Sequence, residues 1–309
     1  MSVAAGLLLY AAVMSWWGPH VLAKITARGI NPLLGVTAWL TAVVGVLGAW
    51  AAAMIVLALD AVDALSNSVV GTMCLEILGH FGQIDMARPV AATIAVTLIA
   101  TSLALSILFG LRTVRTLRAL RTTSHEHAMA ARVVGRPTPW PDVFVVNADQ
   151  AAAYCVSGRP RAIVVTSAAL ASLEDDQLAA VLAHEYAHLT GRHHQLLMLL
   201  RAAAAGLPSL PLLAAGPDAV SRLLEMNAND SAARRHGRHP LLCGMAALVG
   251  RPTVPAAALG AAHTAVLDRA ARLAAPAPAG VRWRDRVTLW TAISVTIAVP
   301  IFTSALCHH

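Results

Sequence analysis

Charged residues are scarce in this chain. Asp, Glu, Lys and Arg make up 13% of the 309 residues, whereas hydrophobic residues make up 57%. Soluble domains carry about 25% charged residues, so the composition argues against an ordinary soluble enzyme and indicates a membrane protein. Lysine is nearly missing, with Lys24 alone, and the net charge of +7 comes almost wholly from arginine. Arginines beside anionic lipid commonly cause such an excess, so we expect contact with membrane lipids and no direct nucleic-acid binding.

Cysteines are also few, and their spacing does not suggest a metal site. The chain has four, at Cys74, Cys155, Cys243 and Cys307, and no two of them form a C-x-x-C pair. A zinc site built from cysteines is therefore not expected. Cys74 and Cys307 would share the outer side of the membrane in the topology given below, so they could form a disulfide, which the sequence alone does not decide.

Long hydrophobic runs, by contrast, are abundant. Four segments are apolar enough to span a bilayer, at about 3–22, 33–59, 89–111 and 287–307. The first is the weakest, but Trp16 and Trp17 near its end are typical of the membrane interface. It lacks a basic n-region and a clear small-residue cleavage site, so we interpret it as a retained span rather than a signal peptide.

The positive residues predict how these spans are oriented. They cluster after the third span and before the last, at Arg112, Arg115, Arg118, Arg121, Arg282, Arg284 and Arg286. The charged residues of the 60–88 loop are mostly acidic, with Asp60, Asp63, Glu76 and Asp85 against Arg88 alone. The positive-inside rule then predicts a multi-pass plasma-membrane protein with both termini and this loop outside the cell. We expect an N-terminal membrane domain over 1–111, a cytosolic domain over 112–286 and a C-terminal transmembrane helix over 287–309.

The cytosolic region combines short strands with helices. The strand-like segments are 142–147, 152–156 and 162–166. Their succession predicts a small, largely antiparallel sheet, whose edge could hold an extended peptide. A helix is then expected from near Ser172, capped with the help of Asp175, to Gly191. Segments 195–215 and 241–262 are apolar, and the sequence leaves open whether they are buried helices or enter the membrane.

This helix carries the motif H-E-x-x-H within the apolar run LAAVLAHEYAHL. Its histidines, His184 and His188, are four residues apart, so on a helix both imidazoles leave the same face. That arrangement suits one zinc ion per chain, with Glu185 beside it as the base that accepts a proton from the attacking water. A buried and unpaired Glu185 would be costly, which argues against a helix that carries these residues by chance.

A catalytic zinc needs a third protein ligand, and two candidates follow the motif. Gly191 and His194 stand three and six residues after the second histidine, which matches the extended H-E-x-x-H-x-x-G-x-x-H pattern. Glu225, on a later helical segment, is the competing ligand. His193 is interpreted as part of a polar helix end.

The wider chain resembles the BlaR/MecR-type membrane zinc metallopeptidases. The resemblance rests on the order of spans, on AIVVTSAALASL before VLAHEYAHL, and on a later E-x-x-A-[DN]-x-x-A. HtpX and the CAAX-prenyl proteases are more distant relatives. The resemblance to the BlaR/MecR type implies a mainly α membrane protein with about four transmembrane helices. It also implies a cytosolic α+β zincin-like metalloprotease domain, in which a small β-sheet accompanies the active-site helices.

The resemblance also assigns site residues. It implies Glu225 rather than His194 as the third zinc ligand, and it places Asn229 where the family has an acidic residue that hydrogen-bonds a ligand histidine. The neutral amide lowers the expected metal affinity, unless Asp230 substitutes for the missing charge. His236 is a candidate donor to the transition state.

The implied activity is that of a zinc endopeptidase that cuts a peptide or protein, such as a cytosolic transcriptional repressor or itself, in regulatory signalling. The alternatives are a catalytically weak signal transducer and an HtpX-like quality-control protease. The only lysine, Lys24, has Val21 three residues before it, so neither S-x-x-K nor K-T-G occurs and no β-lactam sensor site is expected. A homo-oligomer is compatible with the sequence.

Overall fold

The computed structural model describes residues 3–66, 88–249 and 268–306. Its helices are α1 Val3–Trp16, α2 Gly18–Thr26, α3 Pro32–Ser66, α4 Arg88–Val134, α5 Ser167–Ser172, α6 Asp175–Thr190, α7 His193–Gly206, α8 Pro211–His236, α9 Arg238–Val249 and α10 Ala279–Leu306. Residues 268–274 are also helical. The strands are β1 Arg136–Pro137, β2 Val143–Val146, β3 Ala153–Val156 and β4 Ala162–Thr166.

Within these ranges, two helices are long and apolar enough to cross a membrane, rather than the four predicted. They are Pro32–Leu59 in α3 and Ala279–Thr303 in α10. The predicted span 3–22 is instead divided into α1 and α2, because Pro19 lies in the first turn of α2 and cannot donate a backbone hydrogen bond to a continuous helix. Neither piece is long enough to be a candidate span by itself.

The predicted span 89–111 forms the first half of α4. This helix runs for 47 residues and continues without interruption into the basic segment, as expected. The side chains of 88–96 lie outside the described part of the chain, so membrane crossing by this segment stays a prediction. The proposed disulfide partners Cys74 and Cys307 also lie outside the described residues, as does most of the 60–88 loop.

The helices α3 and α10 begin at the same end of the molecule and run in the same direction. Just before α3, the Asn31 amide donates hydrogen bonds to the Arg282 carbonyl at 3.1 Å and to the Asp285 carboxylate at 2.7 Å. Further along, the Tyr10 hydroxyl of α1 donates to the Thr296 carbonyl of α10 at 2.8 Å. Buried side chains of α1, α3, α7, α8 and α10 pack together in one apolar core.

The sheet is mixed rather than largely antiparallel. Its order is β1-β2-β4-β3, with β2 and β4 parallel and the two outer pairs antiparallel. The three predicted strands are present within one residue at each end, but β4 enters between β2 and β3, which makes it parallel to β2. All five residues of β4 are buried, which suits the central strand of a sheet covered on both faces. The short β1 was not predicted.

Helix α6 packs on one face of this sheet and presents its other side to α8. It begins one turn later than predicted, because Glu174 and Gln177 form the capping box instead of Ser172 and Asp175. Its end at Gly191 is as predicted. The small side chains Ala180 and Ala183 pack against α8 and α9, and this lets the helices approach closely. Segment 195–215 forms the helix pair α7 and α8, and neither member is a candidate span.

Candidate metal centre

Three side chains from two helices meet at one point between α6 and α8. His184 and His188 leave α6 one turn apart, with their Nε2 atoms separated by 3.1 Å. Glu225 approaches from α8, and its oxygens lie 3.6 Å from His184 Nε2 and 3.3 Å from His188 Nε2. The candidate ligand atoms of the three residues all lie within 4.8 Å of one another. Two imidazoles and one carboxylate so arranged form a donor set that zinc accepts.

The electrostatics of the group favour metal binding. Burial lowers the pKa of His188 to about 4, although the charge of Glu225 opposes the shift. The imidazole is therefore neutral at physiological pH, as a metal ligand must be. Burial raises the pKa of Glu225, but the neighbouring His184 and His188 imidazoles and the Arg269 guanidinium outweigh it and lower this pKa to about 2. The carboxylate is therefore ionised.

Arg269 completes the surroundings of Glu225. Its guanidinium forms an ion pair with the Glu225 carboxylate, which positions that side chain beside the histidines. No local sequence pattern selects this arginine, because it lies 44 residues beyond its partner. Only the packing of the helical segment 268–274 brings the two together, and no motif marks that contact.

Glu185 lies at the floor of the site and is 8% exposed. Burial raises its pKa to about 7; the charge of Glu225 adds a smaller increase, and the charge of His184 and the neighbouring Cys155 oppose the shift. A carboxyl group with this pKa can both accept and return a proton near neutral pH. Cys155 on β3 was not selected as a site residue from the sequence, and burial raises the pKa of its thiol.

A cavity of about 230 Å³ opens beside these residues. Its polar lining comprises His184, Glu185, Glu225, Asn229 and Arg269. Its apolar lining comprises Val181, Leu241, Met245 and Leu248. The cavity therefore joins the candidate ligands and the candidate base to an apolar surface that can contact substrate side chains.

His193 is at the site, whereas the sequence favoured a polar helix end for it. Its side chain is 4% exposed, and its Nδ1 lies 2.9 Å from Nδ1 of His188. Gly191 makes this approach possible, because a Cβ there would lie 2.4 Å from the His193 ring nitrogen. Arg192 then adopts a left-handed conformation, with φ of 52°, and turns the chain into α7. His193 thus contacts the Nδ1 atom of His188, whereas the Nε2 atom of His188 faces Glu225.

His194, the alternative third ligand, is not part of the metal-binding group. It is half-buried, and burial followed by the charge of Arg201 lowers its pKa. His236 is exposed at the end of α8 and does not line the cavity. The geometry thus brings Glu225, rather than either of these histidines, to the imidazoles of α6.

Asn229 lines the cavity and is 1% exposed, but neither of its amide atoms has a hydrogen-bond partner in the described chain. The Nδ1 atom of His184 is also buried without a partner. Asp230 is directed away from the ligand histidines, because Arg272 binds both of its oxygens at 2.7 Å. Donation of a hydrogen bond by a ligand histidine to the Asn229 oxygen therefore stays a prediction, whereas Asp230 accepts hydrogen bonds from Arg272.

Comparison with known proteins identifies the family. The family model for Peptidase family M48 matches residues 115–276, more than half of the chain, and includes the sheet, α6 and α8. No solved structure matches. Family M48 comprises metallopeptidases that typically use zinc, which agrees with the His-His-Glu group. The match does not extend to the BlaR/MecR type in particular. The chain belongs to peptidase family M48.

Proposed function

We propose that this protein is an integral-membrane zinc endopeptidase. The convergence of His184, His188 and Glu225 beside the buried Glu185 carries this proposal. The donor set fits zinc, because two imidazoles and a carboxylate are a known three-ligand set for catalytic zinc and leave one coordination position for substrate or water. When bound there, zinc supplies Lewis-acid polarisation of the scissile carbonyl and lowers the pKa of water.

Glu185 is the catalytic base in this proposal. Its carboxylate lies in the cavity beside the ligand histidines, where it can accept a proton from the attacking water and return it to the leaving amine. Burial holds its pKa near 7, within the range in which both transfers are feasible. A protein that used the metal only as a scaffold would have no need of this costly buried carboxyl group, so Glu185 favours an enzyme over an inactive transducer.

The substrate would bind as an extended peptide along β3. This strand is at the edge of the described sheet and pairs with β4 on one side. Its Cys155 is close enough to Glu185 to influence the pKa of that carboxyl group, so the edge passes beside the proposed base. Pairing to such an edge would hold the substrate by its backbone, with limited dependence on its side chains.

Membrane embedding is supported by the surfaces of α3 and α10. Only 28% of the most apolar 18-residue stretch of α3 and 17% of that of α10 are buried within the molecule, whereas the core helix of a soluble protein would be mostly buried. Arg222 of α8 donates hydrogen bonds to the carbonyls of Ala27 and Thr26, just before α3. Helix α8, which carries Glu225, is thereby attached to the end of the protein at which α3 would enter the membrane.

The proposal also places the site in the cytosol, as the arginine distribution indicates. It assigns a regulatory substrate, such as a repressor or the protein itself, as the sequence resemblance implies. Quality control of membrane proteins is the second candidate function. It is favoured by the backbone-directed edge of β3, because such an edge would accept many unfolded chains.

Metal analysis of the purified full-length protein tests the proposal. We expect about one zinc per chain and cleavage of an unfolded protein substrate, both lost on chelation and both restored by added zinc. His194→Ala is the matched control and should keep the metal, since His194 lies outside the ligand group. Proteolysis that survives complete removal of zinc would contradict the assignment.

Glu185 should also reduce the stability of the metal-free protein above acidic pH. Its pKa is raised from 4.5 to about 7 on folding, so the folded state binds more protons than the unfolded state between these values. Stability is then highest below pH 4.5 and falls as the pH rises through 7. Glu185→Gln should raise the free energy of unfolding at pH 8 by about 1–3 kcal/mol. Thermal unfolding at pH 8 and pH 4.5 checks this, and an equal gain at both values would contradict it.

A further inference from the structure

A second cavity, separate from the metal centre, lies where α3 and α10 begin. Its volume is about 780 Å³, and it shares no lining residue with the cavity beside Glu185. It is lined by residues of the loop before α3, the end of α8, the first residue of α9, the segment 272–278 and the first turn of α10. Neither the proposed hydrolysis nor the M48 match gives this cavity a role.

The cavity carries an excess of positive charge. Five arginines line it, at Arg28, Arg234, Arg238, Arg272 and Arg282. Asp230 is the one acidic residue of the lining, and both of its oxygens are bound by Arg272. In the described part of the chain, no carboxylate forms an ion pair with the other four arginines. Four guanidinium groups around one space repel one another unless an anion binds, and phosphate oxygens match their geometry.

The remainder of the lining is apolar. It includes Ile30, Ala233, Leu273, Pro276 and Val281. A free inorganic anion gains nothing from such a surface, whereas the glycerol and upper acyl region of a lipid would bury apolar area against it. The combination of arginines and apolar side chains therefore favours an amphiphilic anion.

The position of the cavity agrees with a lipid ligand. The hydrogen bonds of Asn31 to Arg282 and Asp285 bring the first residues of both candidate spans to the same level. Trp283, which follows the cavity residue Arg282, is 65% exposed, as expected for an aromatic side chain at the membrane interface. A cavity at this level would face lipid headgroups.

We propose that this cavity binds the phosphate of an anionic phospholipid through Arg28, Arg234, Arg238 and Arg282. The acyl chains leave along the exposed apolar faces of α3 and α10. The Arg272–Asp230 pair forms one wall of the cavity and attaches it to the ligand helix α8. The inference rests on the proposed membrane embedding of α3 and α10, and it does not depend on peptidase activity.

The test compares two double variants of the full-length protein in phosphatidylcholine nanodiscs. Arg234→Gln with Arg238→Gln removes two cavity arginines, both of them exposed at the protein surface. Arg284→Gln with Arg286→Gln removes two arginines of α10 that do not line the cavity. The apparent affinity of each protein is measured separately for three added ligands, which are phosphatidylglycerol, additional phosphatidylcholine and inorganic phosphate.

We expect wild type to bind phosphatidylglycerol at least tenfold more tightly than either of the other two ligands. The cavity variant should lose about tenfold or more in affinity, since each lost charge-assisted hydrogen bond has an effect of this order. The α10 control should stay within about twofold of wild type, because it lacks a direct contact.

Three results would overturn the inference: equal loss in the α10 control, equal affinity for phosphatidylcholine, or equal affinity for inorganic phosphate. Thermal unfolding checks that the cavity variant is folded, and Arg28→Gln with Arg282→Gln provides a second variant with the same expected loss. Glu185→Gln should bind the lipid like wild type, so a failure of catalysis is distinguished from a failure of lipid binding. Failure of wild type to float with liposomes would refute the membrane embedding itself.

Discussion

Glu185→Gln is expected to reduce peptide hydrolysis by about 100- to 10,000-fold while zinc stays bound. Glutamine keeps the size of the side chain but cannot accept the proton of the attacking water. The ligands His184, His188 and Glu225 are unchanged, so the metal content should equal that of wild type. The measurement is the initial rate of cleavage of an unfolded protein substrate by wild type and variant at matched zinc occupancy.

Cys155→Ser is the matched control for this effect. It replaces the Cys155 thiol, which lies on β3 beside Glu185, with the smaller hydroxyl of serine at the same position. We expect it to retain cleavage within about tenfold, since the carboxylate itself remains. Wild-type rates in Glu185→Gln would remove Glu185 from the mechanism, whatever the control shows.

Glu225→Ala is expected to lose zinc from the purified protein. The variant removes one of the three ligands themselves. Its zinc affinity should therefore fall by more than the roughly 10–100-fold that is typical when a residue that hydrogen-bonds a ligand is removed. It also leaves the Arg269 guanidinium without its carboxylate partner. Zinc content after dialysis against a weak chelator measures the loss, and activity should disappear with the metal.

Glu225→Gln and His194→Ala separate the explanations for that result. Glu225→Gln keeps the shape of the side chain, so zinc loss in this variant as well points to ligation rather than to unfolding. His194→Ala should retain zinc and activity, because His194 lies near Arg201 and not in the ligand group. Zinc retained by Glu225→Ala but lost by His194→Ala would reverse the ligand assignment.

Local signals in the sequence predicted the elements that bear the site. The helix of H-E-x-x-H, its end at Gly191 and the three strands before it follow from spacing, turn residues and β-branched runs. The convergence of Glu225 with this helix came from the family resemblance and not from spacing. The structure brings the three residues of the preferred ligand set close together, although no local pattern connects α6 with α8.

The remaining features depend on contacts between distant parts of the chain. In the parallel pairing of β2 and β4, the sheet packs against α6 through one apolar cluster and against α4 through another, and both contacts join distant parts of the chain. Arg269 reaches Glu225 through tertiary packing alone. His193, rather than His194, faces the site because Arg192 adopts a left-handed conformation, a backbone detail that residue spacing does not encode.

Zinc-edge X-ray absorption of the wild-type protein tests the metal centre most directly. We expect two imidazole nitrogens at about 2.0–2.1 Å and carboxylate or water oxygen at about 2.0–2.2 Å from the zinc. The spectrum of His194→Ala should be the same as that of wild type. A third imidazole that disappears in His194→Ala, or a sulfur ligand at about 2.3 Å, would contradict the site formed by His184, His188 and Glu225.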